Sequence, residues 1–410
     1  MRGRDYVTMN VYWFGLAFMW NSLHPIVLPA LLLRFVPEAL KNTYLGGLTF
    51  AGLILAMVIQ PLAGAASDRT RSRWGRRRPW MFAGTLLSLA CLAVMAGATS
   101  YAVLLVGYLL LQTVSNSAHG PAQGLIPDLV PVERHGLAAG FKNLFDMGGL
   151  VIASLVAGQL MGAGCVGPVF ATIGAVLLGC ALVTLLTTHE RPAGGSALDY
   201  RIRDLLRVNF RRYPHYARLI GSRFLILSGI YVVQSFAQYF IRDRLAVADP
   251  AEVTGNLMAV IGLALTALVF PAGLLSDRFG RRTLNLLAGG LAALGIFLLS
   301  FARSVPAVLG CGTIIGIATG TFVSVNWALA TDLIPQEEAG KYLGLSNLAT
   351  AGSGAVGRLA GPLIDGINAL RPGAYLGYPV VFIIASLCTL TGALLVLRIR
   401  ADLPNPPNRV

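Results

Sequence analysis

The residues of this sequence that could carry out chemistry lie inside long apolar runs. Lys142 and Asp146 are four residues apart in the run 137–161, so a helix places them on one face, where they can pair. Asp146 lies about ten residues into that run, roughly 15 Å along a helix. A carboxylate at that depth in a membrane costs roughly 2.5–3.5 kcal/mol unless it is paired or protonated. Asp146 is therefore the strongest single candidate for a functional residue; the alternative is a structural ion pair with Lys142.

Aromatic and amide residues recur at helical spacing in other apolar runs. Trp20 and His24 share one helical face with Trp13, and Asn21 lies beside them. The alternative to a ligand-binding face is an aromatic belt with a structurally satisfied histidine. Amides supply hydrogen-bond donors and acceptors, and flat rings cover the apolar faces of sugars, so the predicted ligand is a neutral polyhydroxyl compound. The predicted ligand-binding residues are Trp20, Asn21, His24, Gln112, Asn116, Asp146, Tyr231, Gln234, Gln238 and Asn347.

A polar stripe of Gln112, Asn116 and His119 lies in the fourth apolar run and is followed directly by Gly120 and Pro121. Polar groups inside a membrane must face protein or a water-filled cavity. We predict that the stripe faces a cavity and that the helix breaks at the Gly-Pro pair. The alternative is a stripe that only forms hydrogen bonds between helices.

Two short charged loops occur half a chain apart, each after the second apolar run of its half. The loop GAASDRTRSRWGRRRPW at 64–80 contains six arginines, and GLLSDRFGRR at 273–282 repeats its Gly…Asp-Arg…Gly-Arg-Arg pattern. Matching segments at 126–131 and 330–335 each add one aspartate. Carboxylates and guanidinium groups form charge-assisted hydrogen bonds that can hold helix ends together in one conformation and release them in another. The predicted cytoplasmic gate consists of Asp68, Arg69, Arg76, Asp128, Asp277, Arg278, Arg281, Asp332 and Arg358.

The composition is that of an integral membrane protein. Hydrophobic residues make up 55% of the chain and charged residues 12%, and the mean hydropathy is +0.68. The net charge of +14 indicates orientation, because most of the 32 Lys and Arg residues fall in segments that would be cytoplasmic if both termini were cytoplasmic. Nucleic-acid binding is excluded as the purpose of the basic loops, since the runs beside them are each long enough to cross the bilayer. The alternative to a gate at the charged loops is that their basic residues only set the orientation of the chain in the membrane.

The repeated loops indicate duplication of a six-helix membrane unit. We predict an all-α integral membrane protein with twelve transmembrane helices in two pseudo-symmetric halves. The N-terminal half is predicted at 1–187 and the C-terminal half at 218–398. Between them, 188–217 is predicted as a cytoplasmic linker with an amphipathic helix, and 399–410 as a disordered tail. The cysteine spacing matches no metal site, and no nucleophile–base arrangement is evident, so we predict no metal, no cofactor and no enzymatic activity.

The loop pattern G-x-x-x-D-R-x-G-R-R resembles the signature loop of the major facilitator superfamily of transporters. The longer first copy, together with the segment IPDLVP, resembles glycoside–pentoside–hexuronide cation symporters and the related sucrose carriers. The resemblance implies alternating access, a gate at the charged loops, and symport of a sugar or glycoside with a cation across the cell's inner (plasma) membrane. Members of this type place acidic cation ligands on helices 2 and 4. Those two helices contain no Asp or Glu here, so protons would be coupled through Asp146 and His24, or coupling would be absent.

Two other functions fit the same sequence features. One is an exporter of drugs or metabolites with the same fold, which a ligand that is apolar or cationic would indicate. The other is a membrane scaffold or assembly factor that keeps the fold without transporting. The second alternative predicts a cavity filled by side chains and no effect of Asp146→Asn.

Overall fold

The computed structural model describes residues 3–190, 213–333 and 339–399. This part of the chain is helical, and it contains no strand. The predicted amphipathic helix of the linker and most of the predicted tail lie outside the described residues.

The helices follow one another closely along the chain. Eleven of the described helical stretches are long and apolar enough to cross a membrane. The predicted eleventh span, 341–365, is instead divided into two shorter helices, and the second one begins at Gly361-Pro362. Pro362 has no backbone N–H to donate to the Arg358 carbonyl, and its ring would clash with that carbonyl, which accounts for the interruption. The helices are α1 (Gly3–Leu32), α2 (Lys41–Asp68), α3 (Arg78–Ala96), α4 (Tyr101–Gln123), α5 (His135–Gly162), α6 (Val166–Thr187), α7 (Pro214–Leu245), α8 (Pro250–Phe279), α9 (Arg281–Ser300), α10 (Val305–Asp332), α11 (Ala339–Arg358), α12 (Gly361–Leu370) and α13 (Gly377–Leu395).

The chain packs as two units. Unit 1 contains the described parts of 1–198 together with 236–259, and unit 2 contains the described parts of 199–235 and 260–410. The C-terminal end of α7 and the start of α8 therefore belong to unit 1. The halves predicted at 1–187 and 218–398 stay a prediction.

α1 is irregular at its centre. The segment Leu23–Val27 is a π-helical turn, and it carries His24 and Pro25. Pro29 has no backbone N–H, so the Pro25 carbonyl lacks the donor that an ordinary helix would supply. In unit 1 the Gln238 amide supplies that donor: it donates to the carbonyl oxygens of Pro25 at 2.8 Å and Ile26 at 2.9 Å.

The helix break predicted at Gly120 and Pro121 is wrong. α4 continues through both residues and ends at Gln123. A glycine is needed at 120 because a Cβ there would lie 2.2 Å from the backbone oxygen of Gln60 in α2. The Gly-Pro pair thus marks a close contact between two helices of unit 1.

We expect Gly120→Ala to destabilise the protein by about 1–3 kcal/mol, since the added methyl group meets backbone atoms that cannot move aside cheaply. Gly64→Ala is the matched control, because a Cβ at Gly64 comes no closer than 3.9 Å to its nearest neighbours, which are backbone atoms of Gly120. Thermal unfolding of the two detergent-solubilised variants measures the difference. Equal losses of stability would contradict this account of the α2–α4 contact.

Candidate functional site

The predicted pair on α5 is present. Lys142 Nζ lies 2.7 Å from Asp146 Oδ2, and each side chain keeps about a quarter of its surface exposed. The same ammonium group lies 4.1 Å from the centre of the Trp13 ring in α1, a favourable cation–π contact. The Trp13 ring in turn meets the edge of the His119 ring of α4, with 5.1 Å between the ring centres. Lys142 is therefore fixed from two sides, and Asp146 remains accessible in a membrane-spanning helix.

A polar network joins α1 and α4 around His24. The His24 Nε2 atom lies 3.0 Å from the Tyr108 hydroxyl, and the Gln112 side-chain amide donates to that hydroxyl at 2.7 Å. Because the amide nitrogen can only donate, the Tyr108 hydroxyl oxygen is the acceptor of the Gln112 bond. Asn116 donates to the Gln112 side-chain oxygen at 3.0 Å, and the Trp20 ring stacks on His24 at 5.0 Å.

Tyr108 is a member of this network that sequence reasoning missed. It is fully buried, and its ring occupies the space where a Cβ of Gly52 would lie, 2.5 Å away. The four-residue spacing of Tyr108, Gln112 and Asn116 was the available signal, because residues at that spacing share a helical face. A tyrosine in an apolar run does not stand out as polar.

The other predicted ligand-binding residues are distributed over both units. Asn21 donates to the Ala17 carbonyl within α1, at 2.8 Å. Gln238, in unit 1, is engaged with backbone carbonyls of α1. Tyr231, Gln234 and Asn347 belong to unit 2, and Asn347 is exposed.

The charge cluster of unit 1, at the end of α2 and the start of α3, is organised by Arg77. Its buried guanidinium lies 2.5 Å from Asp68 and 3.0 Å from Asp128. Arg76 donates to Asp128 as well, at 3.0 Å, and this bond raises the pKa of the Arg76 guanidinium above its usual range. The predicted residues Asp68, Arg76 and Asp128 thus come together, whereas Arg69 is exposed and forms no ion pair in the described chain. Sequence reasoning missed Arg77, because adjacent arginines in a loop cannot be ranked by spacing.

Glu190, just after α6, was also missed. Its carboxylate accepts hydrogen bonds from the backbone N–H groups of Arg76, Arg77 and Arg78, at 2.7, 2.9 and 3.0 Å. These groups lie at the start of α3, where a helix carries unsatisfied donors and partial positive charge. Gly75 has φ +97° and lies against Glu190, so a side chain at that position would be strained.

The charge cluster of unit 2, at the end of α8 and the start of α9, is centred on Arg281. Its guanidinium lies 2.6 Å from Asp332 and 3.1 Å from Asp277. Arg278 forms no ion pair among the residues described. Arg358 does not join this cluster: it is the last residue of α11, about 28 Å along the helix from the end nearest Asp332, and it donates to the Gly354 carbonyl.

Unit 2 also contains a buried cation to which sequence reasoning gave no role. Arg223 of α7 donates to the Thr350 hydroxyl at 2.9 Å and to the Asn326 side-chain oxygen at 2.8 Å. These bonds tie α7 to α10 and α11.

A second charged group missed from the sequence lies in unit 1, near the start of α2 and the end of α7. Lys41 Nζ lies 2.6 Å from an Asp243 oxygen, and each side chain is only 3% exposed. Lys41 also reaches Glu38 at 2.5 Å, and Arg242 reaches Glu38 at 2.9 Å. Charges at the ends of apolar runs are expected at a membrane surface, so their positions gave no sign that they are buried against each other.

Membrane-spanning helices that carry equivalent Asp–Arg clusters in two sequence repeats define a membrane transporter of the major facilitator type. The family MFS/sugar transport protein matches residues 17–401, and the chain belongs to it. Proteins of this family and fold are transporters and not enzymes.

Curated relatives resemble parts of the chain or all of it. Human proton-associated sugar transporter A is 29% identical over 203 residues, which are 44% of this chain and 26% of that protein. A sucrose transport protein of Oryza sativa subsp. japonica is 36% identical over 109 residues, 21% of this chain and 20% of the relative. The matched part thus spans about a quarter or less of either relative. A multi-drug resistance efflux pump of Streptococcus pneumoniae is 22% identical over 396 residues, 93% of this chain and 92% of the pump.

A solved structure supports the same fold. A D-xylose-proton symporter superposes with a TM-score of 0.70 over 95% of this chain and 97% of its own, at 17% identity. The predicted all-α major facilitator fold is confirmed.

Proposed function

We propose that this protein is a secondary active transporter that carries a sugar or glycoside together with protons by alternating access. The observation that carries the proposal is Asp146, an accessible carboxylate within a membrane span, held 2.7 Å from Lys142. Carboxylates in such positions serve proton relays in transporters. Curated relatives named as sugar transporters support the substrate class. The proposed location is the cell's inner (plasma) membrane, with both termini cytoplasmic, as the distribution of basic residues indicates.

The proposed ligand is a neutral sugar or glycoside. Unit 1 offers the network of His24, Tyr108, Gln112 and Asn116, whose amides and hydroxyl can exchange hydrogen bonds with sugar hydroxyls. The Trp20 ring adds a flat apolar surface of the kind that covers a sugar face. Tyr231, Gln234 and Asn347 of unit 2 stay predicted ligand-binding residues.

The charge clusters around Arg77 in unit 1 and Arg281 in unit 2 are the proposed cytoplasmic gate. Each joins the end of one helix to the start of the next through an arginine held by two aspartates, Arg77 in unit 1 and Arg281 in unit 2. Charge-assisted pairs of this kind form in one conformation and separate in another.

Export of drugs or metabolites is the second candidate function. It is favoured by one observation, the efflux pump that is similar to this chain over 93% of its length. The two candidates differ in ligand chemistry, which an experiment can separate.

Transport by purified protein in liposomes tests the proposal. We expect labelled disaccharides to accumulate above equilibrium when the pH outside is lower than inside, and accumulation to stop when a protonophore collapses the gradient. An internal pH dye should report acidification when sugar is added. Empty liposomes are the control.

Three other outcomes would contradict the proposal. Sugar uptake that stops at equilibrium, with no acidification, would indicate an uncoupled facilitator. Gradient-driven movement of apolar cationic dyes without sugar uptake would indicate the exporter. Neither activity, from protein shown to be folded, would indicate the scaffold.

A further inference from the structure

The six arginines of the first charged loop divide into two groups. Arg76, Arg77 and Arg78 lie closest to α3 and face the protein. They bind Asp68, Asp128 and the Leu185 carbonyl. The remaining arginines are exposed and form no ion pair within the described ranges: Arg69, Arg71 and Arg73. Three positive charges of this loop are therefore left facing outward beside a membrane-spanning helix.

An apolar groove of about 370 Å³ lies next to this loop, between α3 and α4. Its walls include Trp80, Ala83 and Leu87 of α3 and Val114 of α4. The groove begins immediately after Arg78 and follows α3 for between two and three turns. Leu87 is 53% exposed, so this surface of α3 faces the lipid chains of a bilayer.

A hydrogen bond connects the exposed charges to the groove. The Trp80 indole N–H, at the rim of the groove, donates to the Thr70 hydroxyl at 2.8 Å. Thr70 lies between Arg69 and Arg71, so this bond holds that part of the loop at the mouth of the groove. The backbone donors at the start of α3 are already bound by Glu190, and an incoming anion therefore meets the arginine side chains.

We propose that this surface is a binding site for one anionic phospholipid. An acyl chain lies in the α3–α4 groove, and the headgroup phosphate is held by Arg69, Arg71 and Arg73. Basic residues beside a membrane span attract anionic lipids, and each contributes about a fivefold change in affinity. The inference goes beyond sugar transport and does not depend on it.

Lipid binding to the purified full-length chain in detergent tests the proposal. We expect native mass spectrometry to show one retained phosphatidylglycerol in titrations where phosphatidylcholine does not bind. Arg71→Ala with Arg73→Ala should weaken this binding about 30-fold. The matched control removes two exposed arginines of unit 2, with Arg303→Ala and Arg371→Ala, and should leave it unchanged.

A second variant tests the groove itself. Ala83 is exposed, so Ala83→Phe can fill the groove without disturbing the core. We expect it to abolish binding of long-chain phosphatidylglycerol while short-chain dihexanoyl phosphatidylglycerol still binds, and thermal unfolding should show an intact fold. Equal losses in both arginine double variants would overturn the proposal, as would glycerol phosphate or inorganic phosphate binding as tightly as the lipid.

Discussion

Asp146→Asn is expected to abolish accumulation of sugar against its gradient and to leave exchange of internal for external sugar within about twofold of the wild-type rate. The amide keeps the size and hydrogen-bonding capacity of the side chain but cannot take up a proton. Exchange needs only movement of the loaded carrier, whereas accumulation needs release of the proton on the inner side. The accumulation ratio should fall to that of passive equilibration.

Glu133→Gln is the matched control for this experiment. Glu133 is an exposed carboxylate shortly before α5, so its loss changes the net charge by the same amount without touching the span. The alternative account, in which Lys142 and Asp146 form only a structural pair, makes a different prediction. It requires that Asp146→Asn lower thermal stability and reduce accumulation and exchange together, and that result would exclude Asp146 as the coupling acid.

Lys41→Met is expected to destabilise the protein by about 3–5 kcal/mol, because it leaves the buried Asp243 carboxylate without its closest cation. Arg242 compensates only in part, since it lies 3.9 Å from Asp243 and is 36% exposed. Thermal or chemical unfolding of the detergent-solubilised protein measures the loss. Adding Asp243→Asn to Lys41→Met should recover much of the stability, because the buried carboxylate charge is then removed together with the ammonium group.

The exposed half of the same cluster supplies the control. Glu38 and Arg242 pair near the surface, where ion pairs contribute about 0–1 kcal/mol. Arg242→Gln should therefore cost far less than Lys41→Met. Similar losses in the two variants would show that burial does not govern this cluster.

The membrane class, most of the spans and the family could be predicted because they depend on properties that survive without a tertiary structure. Apolar runs of membrane length and the placement of arginines report directly on the bilayer. The pair of Lys142 and Asp146 could also be predicted, because a four-residue spacing fixes two side chains on one face of a helix before anything packs. For the same reason, Gln112 and Asn116 could be predicted to lie on one face of a helix.

Contacts between distant parts of the chain could not be derived in this way. The sequence indicated Arg69 and Arg76 as gate residues, but packing gave the central place to Arg77, because its side chain reaches both Asp68 and Asp128. Gly120 suggested a broken helix, but the helix is continuous there. The missing side chain instead allows the Gln60 backbone of α2 to lie close to α4.

Local chemistry in the sequence determined that this chain is an all-helical transporter of the major facilitator superfamily with charged loops in both repeats. The tertiary structure alone decided which hydrogen-bond and ion-pair partners the side chains of those loops and spans have. Gln238 resembled a ligand-binding amide, but with its nitrogen oriented toward α1 it donates to the Pro25 carbonyl that Pro29 leaves without a donor. Lys41 and Asp243 resembled surface charges, and they are buried together. Helical spacing fixes neighbours within one helix, whereas partners more than two hundred residues apart are fixed by packing.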